Sequence, residues 1–438
     1  MKRYLYKALQ DWKTRDDRKP LIINGARQVG KTYLLQEFGH REYDKIAFFS
    51  LDRSPMAASV FEQGTSVNEI LLSLSAIGNV DITPGNTLIV LDEIQSCPKA
   101  LESLKFFCED APDYHVVVAG SLLGLSLHDC VSYPVGKVEE LRLYPMNFLE
   151  FLEAVGKGKL AETLSSGIWP VINMLGEEYI RLLRQYYYVG GMPAAVLAFV
   201  EQKGLQTVRI IQQQIIRDYR RDFSKHAPSR EVPRINMVWD SIPAQLAKEN
   251  KKFIYGAVKK SSRAADFEMA IQWLIDAGLV YKVMRANRPQ IPLKFYEDLN
   301  AFKLFMLDVG LMGAMTDIPA EAMLVNNKVF SEYKGAFTEL YVLTELKTLG
   351  LPVYYHSVDN STIELDFVVQ LADRVVPVEV KAETNVKAKS MRVFIEKHPE
   401  LTGVRISMLP YQQQDWLVNI PLYACSLLPK IDYQHRQS

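Results

Sequence analysis

The chain has 438 residues, too many for one ordinary core at about 150 residues per domain, and its 48% apolar and 23% charged residues have the balance of a soluble globular protein. Lys+Arg and Asp+Glu are equal at 51 each, which excludes a global field favouring nucleic acid or membrane, so any nucleic-acid contact must come from a local patch. Cys97, Cys108, Cys130 and Cys425 have no paired spacing and read as reduced thiols, and no uncharged apolar run approaches the roughly 20 residues of a membrane span. A cytoplasmic location with no membrane partner is expected.

In chain order, Tyr4–Trp12 has helical apolar spacing and leads into a short apolar strand, Leu21–Asn24. Strand candidates Ile46–Leu51, Thr87–Ile94, His115–Ala119 and Val138–Leu143 follow, with helical stretches such as Thr32–Glu37 and Ala100–Glu109 between them. Such alternation predicts a mostly parallel sheet covered on both faces. From Asn147 to about Phe223 the pattern is helical, broken at Gly190-Gly191-Met192-Pro193, and Asp222–Pro233 reads as a linker. Ile235–Leu311 reads as three helices closed by strand candidates Val280–Met284 and Leu304–Leu307, the order of a winged helix. Lys328–Pro429 opens with a helix, Ala336–Leu346, and continues as strands with a hairpin.

The first strand runs into Gly25-Ala26-Arg27-Gln28-Val29-Gly30-Lys31-Thr32, which fits G-x-x-x-x-G-K-[ST]. Its glycines let backbone N–H groups turn inward around phosphates; Lys31 is expected to reach the β- and γ-phosphates and Thr32 to ligate Mg²⁺. The apolar strand Thr87-Leu88-Ile89-Val90-Leu91 delivers Asp92, expected to hold Mg²⁺, and Glu93, expected to polarise the attacking water. An adjacent acid pair indicates hydrolysis rather than binding alone. Ser121, after Val118-Ala119-Gly120, is a candidate γ-phosphate sensor or a helix N-cap.

Residues 230–300 carry 12 Lys and Arg against 8 Asp and Glu, with Lys251, Lys252, Lys259, Lys260 and Arg263 clustered where they could meet phosphates. The third helix, Ala264–Ala277, presents Asp266, Glu268 and Asp276, and acids on that helix argue against base reading in a major groove. Non-specific DNA contact or a structural hinge fits better.

Near the C-terminus, Ser361–Gln370 and Val375–Lys381 read as a hairpin turning at Leu371-Ala372-Asp373-Arg374. A turn symmetric about Ala372-Asp373 sets Asp366 opposite Glu379 and Glu364 opposite Lys381. Facing carboxylates repel unless a cation lies between them, so Mg²⁺ or Mn²⁺ is expected there, with Lys381 positioning or activating water.

Gly-Ala-Arg-Gln-Val-Gly-Lys-Thr, then Leu91-Asp92-Glu93-Ile94-Gln95, then Ala119-Gly120-Ser121 resembles a prokaryotic family of AAA-like ATPases related to archaeal ATPases. Tyr144-Pro145-Met146, Gly190-Gly191-Met192-Pro193, Leu307-Asp308-Val309-Gly310-Leu311, Glu364-Leu365-Asp366-Phe367 and Val378-Glu379-Val380-Lys381 extend the resemblance over nearly the whole chain. It implies an α/β multidomain fold: an ATPase core over 1–146, a helical lid over 147–225, a winged helix over 226–320, and a restriction-endonuclease-like domain over 325–438. It further implies ATP rather than GTP, approach of Gly191, Met192 and Pro193 to the adenine, and Glu339 as an additional metal-site acid beside Asp366 and Glu379. Lys137 stands where such proteins usually have arginine, which puts an arginine-finger role in doubt; Arg217, Arg220 and Arg221 are other candidates. The expected function is an Mg²⁺-dependent ATPase whose nucleotide state controls a nuclease-like domain acting on nucleic acid. The alternative is an ATP-controlled switch that docks a protein partner and cuts nothing; homo-oligomerisation is compatible with either.

Overall fold

Leu21–Asn24, Lys45–Ser50, Thr87–Asp92, His115–Gly120 and Glu139–Arg142 form strands β1 to β5 of a parallel sheet in the computed structural model, in the order β2-β3-β4-β1-β5. The structure describes residues 1–63, 66–120, 133–248, 251–324, 328–358, 363–382 and 389–433. Every residue of β3 and β4 is buried, as an apolar strand covered on both faces requires, whereas alternating exposure in β5 fits its edge position. The β4 strand lies between β1 and β3, so the carboxyl ends of the phosphate-loop strand and the acid-bearing strand are one strand apart. Helix α1 spans Leu5–Thr14 and α2 spans Lys31–Glu42. Helices Pro55–Glu62 and Val67–Gly78, which the apolar pattern alone did not reveal, cover the sheet with Phe61, Ile70 and Leu74. The second of these starts at a reciprocal cap between Ser66 and Glu69.

By contact density the chain divides into two units, Met1–Tyr144 with Gln272–Leu279, and Pro145–Ile271 with Val280–Ser438. In the second, helix Leu205–His226 runs to within a few residues of helix Val232–Leu246, so most of the expected linker at Asp222–Pro233 is helical. The third helix is shorter than expected, a turn at Ala264–Asp266 followed by Glu268–Asp276. The hairpin after it is longer, with strands β6 (Val280–Ala286) and β7 (Glu297–Met306). It does not stand alone as a wing. Strand β6 pairs in parallel with β8 (Val353–Ser357) at Arg285 and Tyr355, which joins the hairpin to the C-terminal strands. Those strands are β9 (Glu364–Gln370), β10 (Val375–Val380), β11 (Gly403–Ser407), β12 (Gln412–Gln413) and β13 (Leu417–Pro421). Together they make one eight-stranded sheet, β12-β13-β11-β10-β9-β8-β6-β7.

The helices of this unit meet through aromatic rings. Phe148, Tyr186 and Tyr341 lie 5.8–6.4 Å apart, edge to face, which ties helices Phe148–Ala154, Gly176–Val189 and Lys328–Thr348 into one core. Beside them the buried Glu345 carboxylate accepts the Phe148 N–H at 2.7 Å. Burial pushes its pKa from 4.5 up to about 8, although the Phe148 N–H pulls the other way. The folded state therefore keeps a proton that the unfolded chain releases. The stability this contributes is complete below about pH 4.5 and is lost as pH rises toward 8. Glu345→Gln should flatten that decline, measured as unfolding midpoints of both proteins between pH 5 and 8, and an unchanged slope would refute it.

Candidate functional site

The phosphate loop joins β1 to α2. Gly30 sits at φ 94° as the N-cap of α2 and Gln28 at φ 65°, a left-handed pair of positions that turns the loop back over the helix start. A Cβ on Gly25 would lie 2.3 Å from the Leu143 carbonyl oxygen, so only glycine allows β1 to leave the sheet there. The Lys31 ammonium folds across the loop and donates to the Gly25 and Ala26 carbonyls, both at 2.8 Å. It is 6% exposed, and burial lowers its pKa to about 8.

Thr32 Oγ1 donates to Asp92 Oδ2 at 2.7 Å, which places the two expected Mg²⁺ ligands side by side. The other Asp92 oxygen accepts the Glu93 N–H at 3.0 Å, and burial raises the Asp92 pKa. Glu93 turns out of the strand at φ 54° and its carboxylate accepts from Gln95. Ser121 lies outside the described residues. The Lys137 ammonium is held by Glu109 at 2.8 Å on the surface.

Two parts of this site were not anticipated from sequence. Arg3 braces the loop, donating to the carbonyls of Val29 at 2.7 Å and Tyr144 at 2.6 Å. Gly278, at φ 73°, brings the segment Gln272–Leu279 close to the loop: a Cβ there would lie 3.3 Å from the Ala26 nitrogen and 3.4 Å from Arg142. Nothing in the local sequence announced either contact, because each partner is more than twenty residues away in the chain.

In the second unit Gly191 is fully committed. Its N–H donates to Asp308 at 2.6 Å, and its carbonyl accepts the Met146 N–H at 2.7 Å. Met192 is buried and Pro193 starts helix Pro193–Val200. Asp308 also accepts the Leu311 N–H at 2.9 Å, and burial raises its pKa to about 6. Arg217 donates to Gln214, Arg220 pairs with Asp240 at 2.5 Å, and Arg221 pairs with Asp218 at 3.3 Å.

The C-terminal hairpin has the register that a turn symmetric about Ala372-Asp373 dictates, from Val375 opposite Gln370 to Val378 opposite Phe367. The pairing then stops. Glu379 and Val380 continue instead beside Arg405 and Ile406 of β11, and the Lys381 N–H donates to the Ile406 carbonyl at 2.8 Å. Glu364 therefore does not pair with Lys381, as symmetry suggested. It holds Lys303 at 2.9 Å, while Lys381 holds Glu379 at 2.9 Å. Asp366 accepts the Val380 N–H at 2.8 Å, and Glu339 is bonded by Lys251.

The expected metal set of Glu339, Asp366 and Glu379 is not assembled: among the described residues no three His, Cys, Asp or Glu side chains form a group that could hold a metal ion. Protein cations take the place that the sequence reading gave to Mg²⁺ or Mn²⁺. Lys251, expected at DNA phosphates, points inward to Glu339. Lys303 was missed, although a lone lysine within the apolar run Ala301-Phe302-Lys303-Leu304-Phe305-Met306 was a usable signal.

Residues 17–152 match the family model of an AAA domain. Residues 180–322 and 334–424 match two models of domains of unknown function, DUF8612 and DUF4143. No curated protein matches the chain. Similar solved structures include the Aeropyrum pernix Orc1 protein in complex with DNA, 16% identical at TM-score 0.27, covering 73% of this chain and 92% of that one. A point variant of Thermotoga maritima RuvB is 15% identical at TM-score 0.28, with coverages of 63% and 86%. Protein VC1899 from Vibrio cholerae is 10% identical at TM-score 0.19, with coverages of 94% and 96%. The AAA-domain match, the strand order and the loop geometry together support an AAA-like P-loop ATPase unit that binds and hydrolyses ATP.

A Cβ on Gly191 would lie 2.1 Å from the Met146 carbonyl oxygen, so Gly191→Ala should destabilise the second unit by on the order of 3 kcal/mol. At helical Gly335 a Cβ meets nothing within 4 Å, and Gly335→Ala should be neutral or stabilising by roughly 0.5 kcal/mol. Urea midpoints of the two variants check this, and equal effects would contradict it.

Proposed function

We propose that the chain is an Mg²⁺-dependent ATPase whose nucleotide state controls the carboxylate–lysine cluster of its C-terminal strands, a nuclease-like site acting on nucleic acid. The observation that carries the ATPase part is the 2.7 Å contact between Thr32 Oγ1 and Asp92 Oδ2, with Glu93 next in the chain. Two oxygen donors side by side suit a small hard cation, so Thr32 and Asp92 would hold Mg²⁺, which supplies charge neutralisation for the transferred phosphoryl group. Lys31, buried and with its ammonium destabilised by desolvation, would exchange the Gly25 and Ala26 carbonyls for phosphate oxygens. Glu93 would orient the attacking water and accept its proton.

Lys31→Ala is expected to abolish ATP binding. Glu93→Gln should keep binding and lose roughly a hundredfold or more in turnover. Fluorescent-nucleotide binding and phosphate release distinguish the two, and a Glu93→Gln enzyme with normal turnover would remove Glu93 from the mechanism.

For the C-terminal cluster, the Asp366 carboxylate, which accepts the N–H of Val380 between Glu379 and Lys381 in the chain, supports the nuclease-like reading. The lysine-closed arrangement supports a second reading, a nucleotide-controlled interaction switch that cuts nothing. The distinguishing assay is cleavage of plasmid, linear and single-stranded DNA in Mg²⁺ or Mn²⁺, with and without ATP. Cleavage lost in Asp366→Ala and altered in Lys31→Ala favours the nuclease under ATP control. No cleavage above the Asp366→Ala background favours the switch.

A further inference from the structure

The chain leaves the first unit at Tyr144 and rejoins it for Gln272–Leu279, which closes helix Glu268–Asp276 and leads into β6. This segment is firmly packed, with Trp273, Leu274, Ala277 and Leu279 all buried. The helix ends in a left-handed cap at Gly278. Its N–H donates to the Ile275 carbonyl at 2.9 Å, and the Leu279 N–H donates to the Leu274 carbonyl at 3.0 Å. The next residue, Val280, opens β6.

The cap lies against the phosphate loop. A Cβ on Gly278 would stand 3.3 Å from the Ala26 nitrogen and 3.7 Å from its Cα, so backbone faces backbone with no side chain between. The other end of the same residue is held by Lys31, whose ammonium donates to the Ala26 carbonyl at 2.8 Å. Ala26 is therefore gripped from two sides, and one of the two grips answers to a ligand. When Lys31 turns to phosphate oxygens, the buried Ala26 carbonyl loses its donor and has to move or find another. Movement of that peptide bears on the Gly278 cap. The buried residues on either side, Ala277 and Leu279, leave the cap little room to absorb it locally.

The exit at Tyr144 is tied to the loop as well, but through a long side chain: Arg3 donates to the carbonyls of Val29 and Tyr144. At Gly278 the contact is backbone to backbone, which leaves less slack.

We propose that the Gly278 cap is the relay by which occupancy of the phosphate loop reaches the eight-stranded sheet. Release of the Ala26 carbonyl by Lys31 shifts the cap and, through Leu279, strand β6. This rests on the reading that the loop binds ATP, and it adds the route by which nucleotide state acts on the C-terminal strands. Strand β6 pairs with β7 from Val280 to Ala286 and with β8 at Arg285 and Tyr355, so a shift at its first residue passes into the sheet that carries Glu364, Asp366 and Glu379.

Gly350 supplies a matched control. It caps helix Lys328–Thr348 in the same way, with its N–H on the Lys347 carbonyl at 3.0 Å and the Leu351 N–H on the Leu346 carbonyl at 3.4 Å. Its φ is 70° against 73° at Gly278, but a Cβ there meets nothing within 4 Å. Gly278→Ala and Gly350→Ala therefore carry the same left-handed strain, and only the first presses on the loop. Gly278→Ala should weaken binding of a fluorescent ATP analogue by about tenfold or more, with Gly350→Ala within about twofold of wild type. Equal affinities in the two variants overturn the relay. Hydrogen–deuterium exchange of the full-length wild type, with and without a non-hydrolysable ATP analogue, tests transmission directly and decides the matter if Gly278→Ala does not fold. Amides of residues 272–286 should change their exchange together with those of the loop, and neither should change in Lys31→Ala. A change at the loop with none in 272–286, or with one only in the segment after Tyr144, overturns the relay and leaves ATP binding standing. No change at the wild-type loop removes the ATP reading, and the relay with it.

Discussion

One buried carboxylate organises the second unit. Asp308 accepts the N–H groups of Gly191 and Leu311, and thereby caps helix Val309–Met315 and anchors the Gly190-Gly191 turn. The turn in turn fixes Met146, whose N–H bonds Gly191 and whose carbonyl accepts the Tyr186 hydroxyl at 2.6 Å. Gln212 completes the arrangement from helix Leu205–His226, donating to the Tyr188 and Val189 carbonyls at 2.8 Å. A polar network this deeply buried is stabilising only when every member is satisfied, so each of these residues is exacting about its neighbours. This network accounts for the glycine at 191, whose N–H and carbonyl are both engaged within the unit.

Both candidate sites keep a lysine largely out of water, by different means. Lys31 rests on neutral carbonyls, a weak substitute for anionic phosphate oxygens, and a phosphate ligand therefore relieves its desolvation. Lys303 rests on the Glu364 carboxylate, and the surrounding acids outweigh the desolvation of its ammonium, while Lys251 bonds Glu339. The first arrangement invites an anion. The second already has protein cations on its carboxylates.

What the sequence disclosed follows from how local each feature is. The phosphate loop was legible because eight consecutive residues carry it, and β3 and β4 because the apolar runs Leu88–Leu91 and Val116–Ala119 mark buried parallel strands. The hairpin register was legible because a short symmetric turn leaves one pairing, and that pairing holds as far as Val378 and Phe367. It failed beyond that point because β10 passes to β11, a neighbour that no turn dictates. Lys303 and Lys251 meet acids 61 and 88 residues away, and Arg3 meets Tyr144 across 141 residues. Periodicity and spacing carry no information at such separations. The joining of β6 to β8 was hidden for the same reason.

That junction bears on how the chain can be divided. A fragment beginning near residue 325, where the pattern of the sequence suggests a self-contained final domain, would strip β8 of its neighbour and leave an apolar sheet margin bare. Glu339 and Glu364 would lose their lysines in the same cut. Such a fragment would tend to self-associate along the exposed strand, and its carboxylates would behave differently from those of the intact chain. The smallest piece that keeps the C-terminal strands in their native surroundings has to include the hairpin from Val280 to Met306 and the loop bearing Lys251.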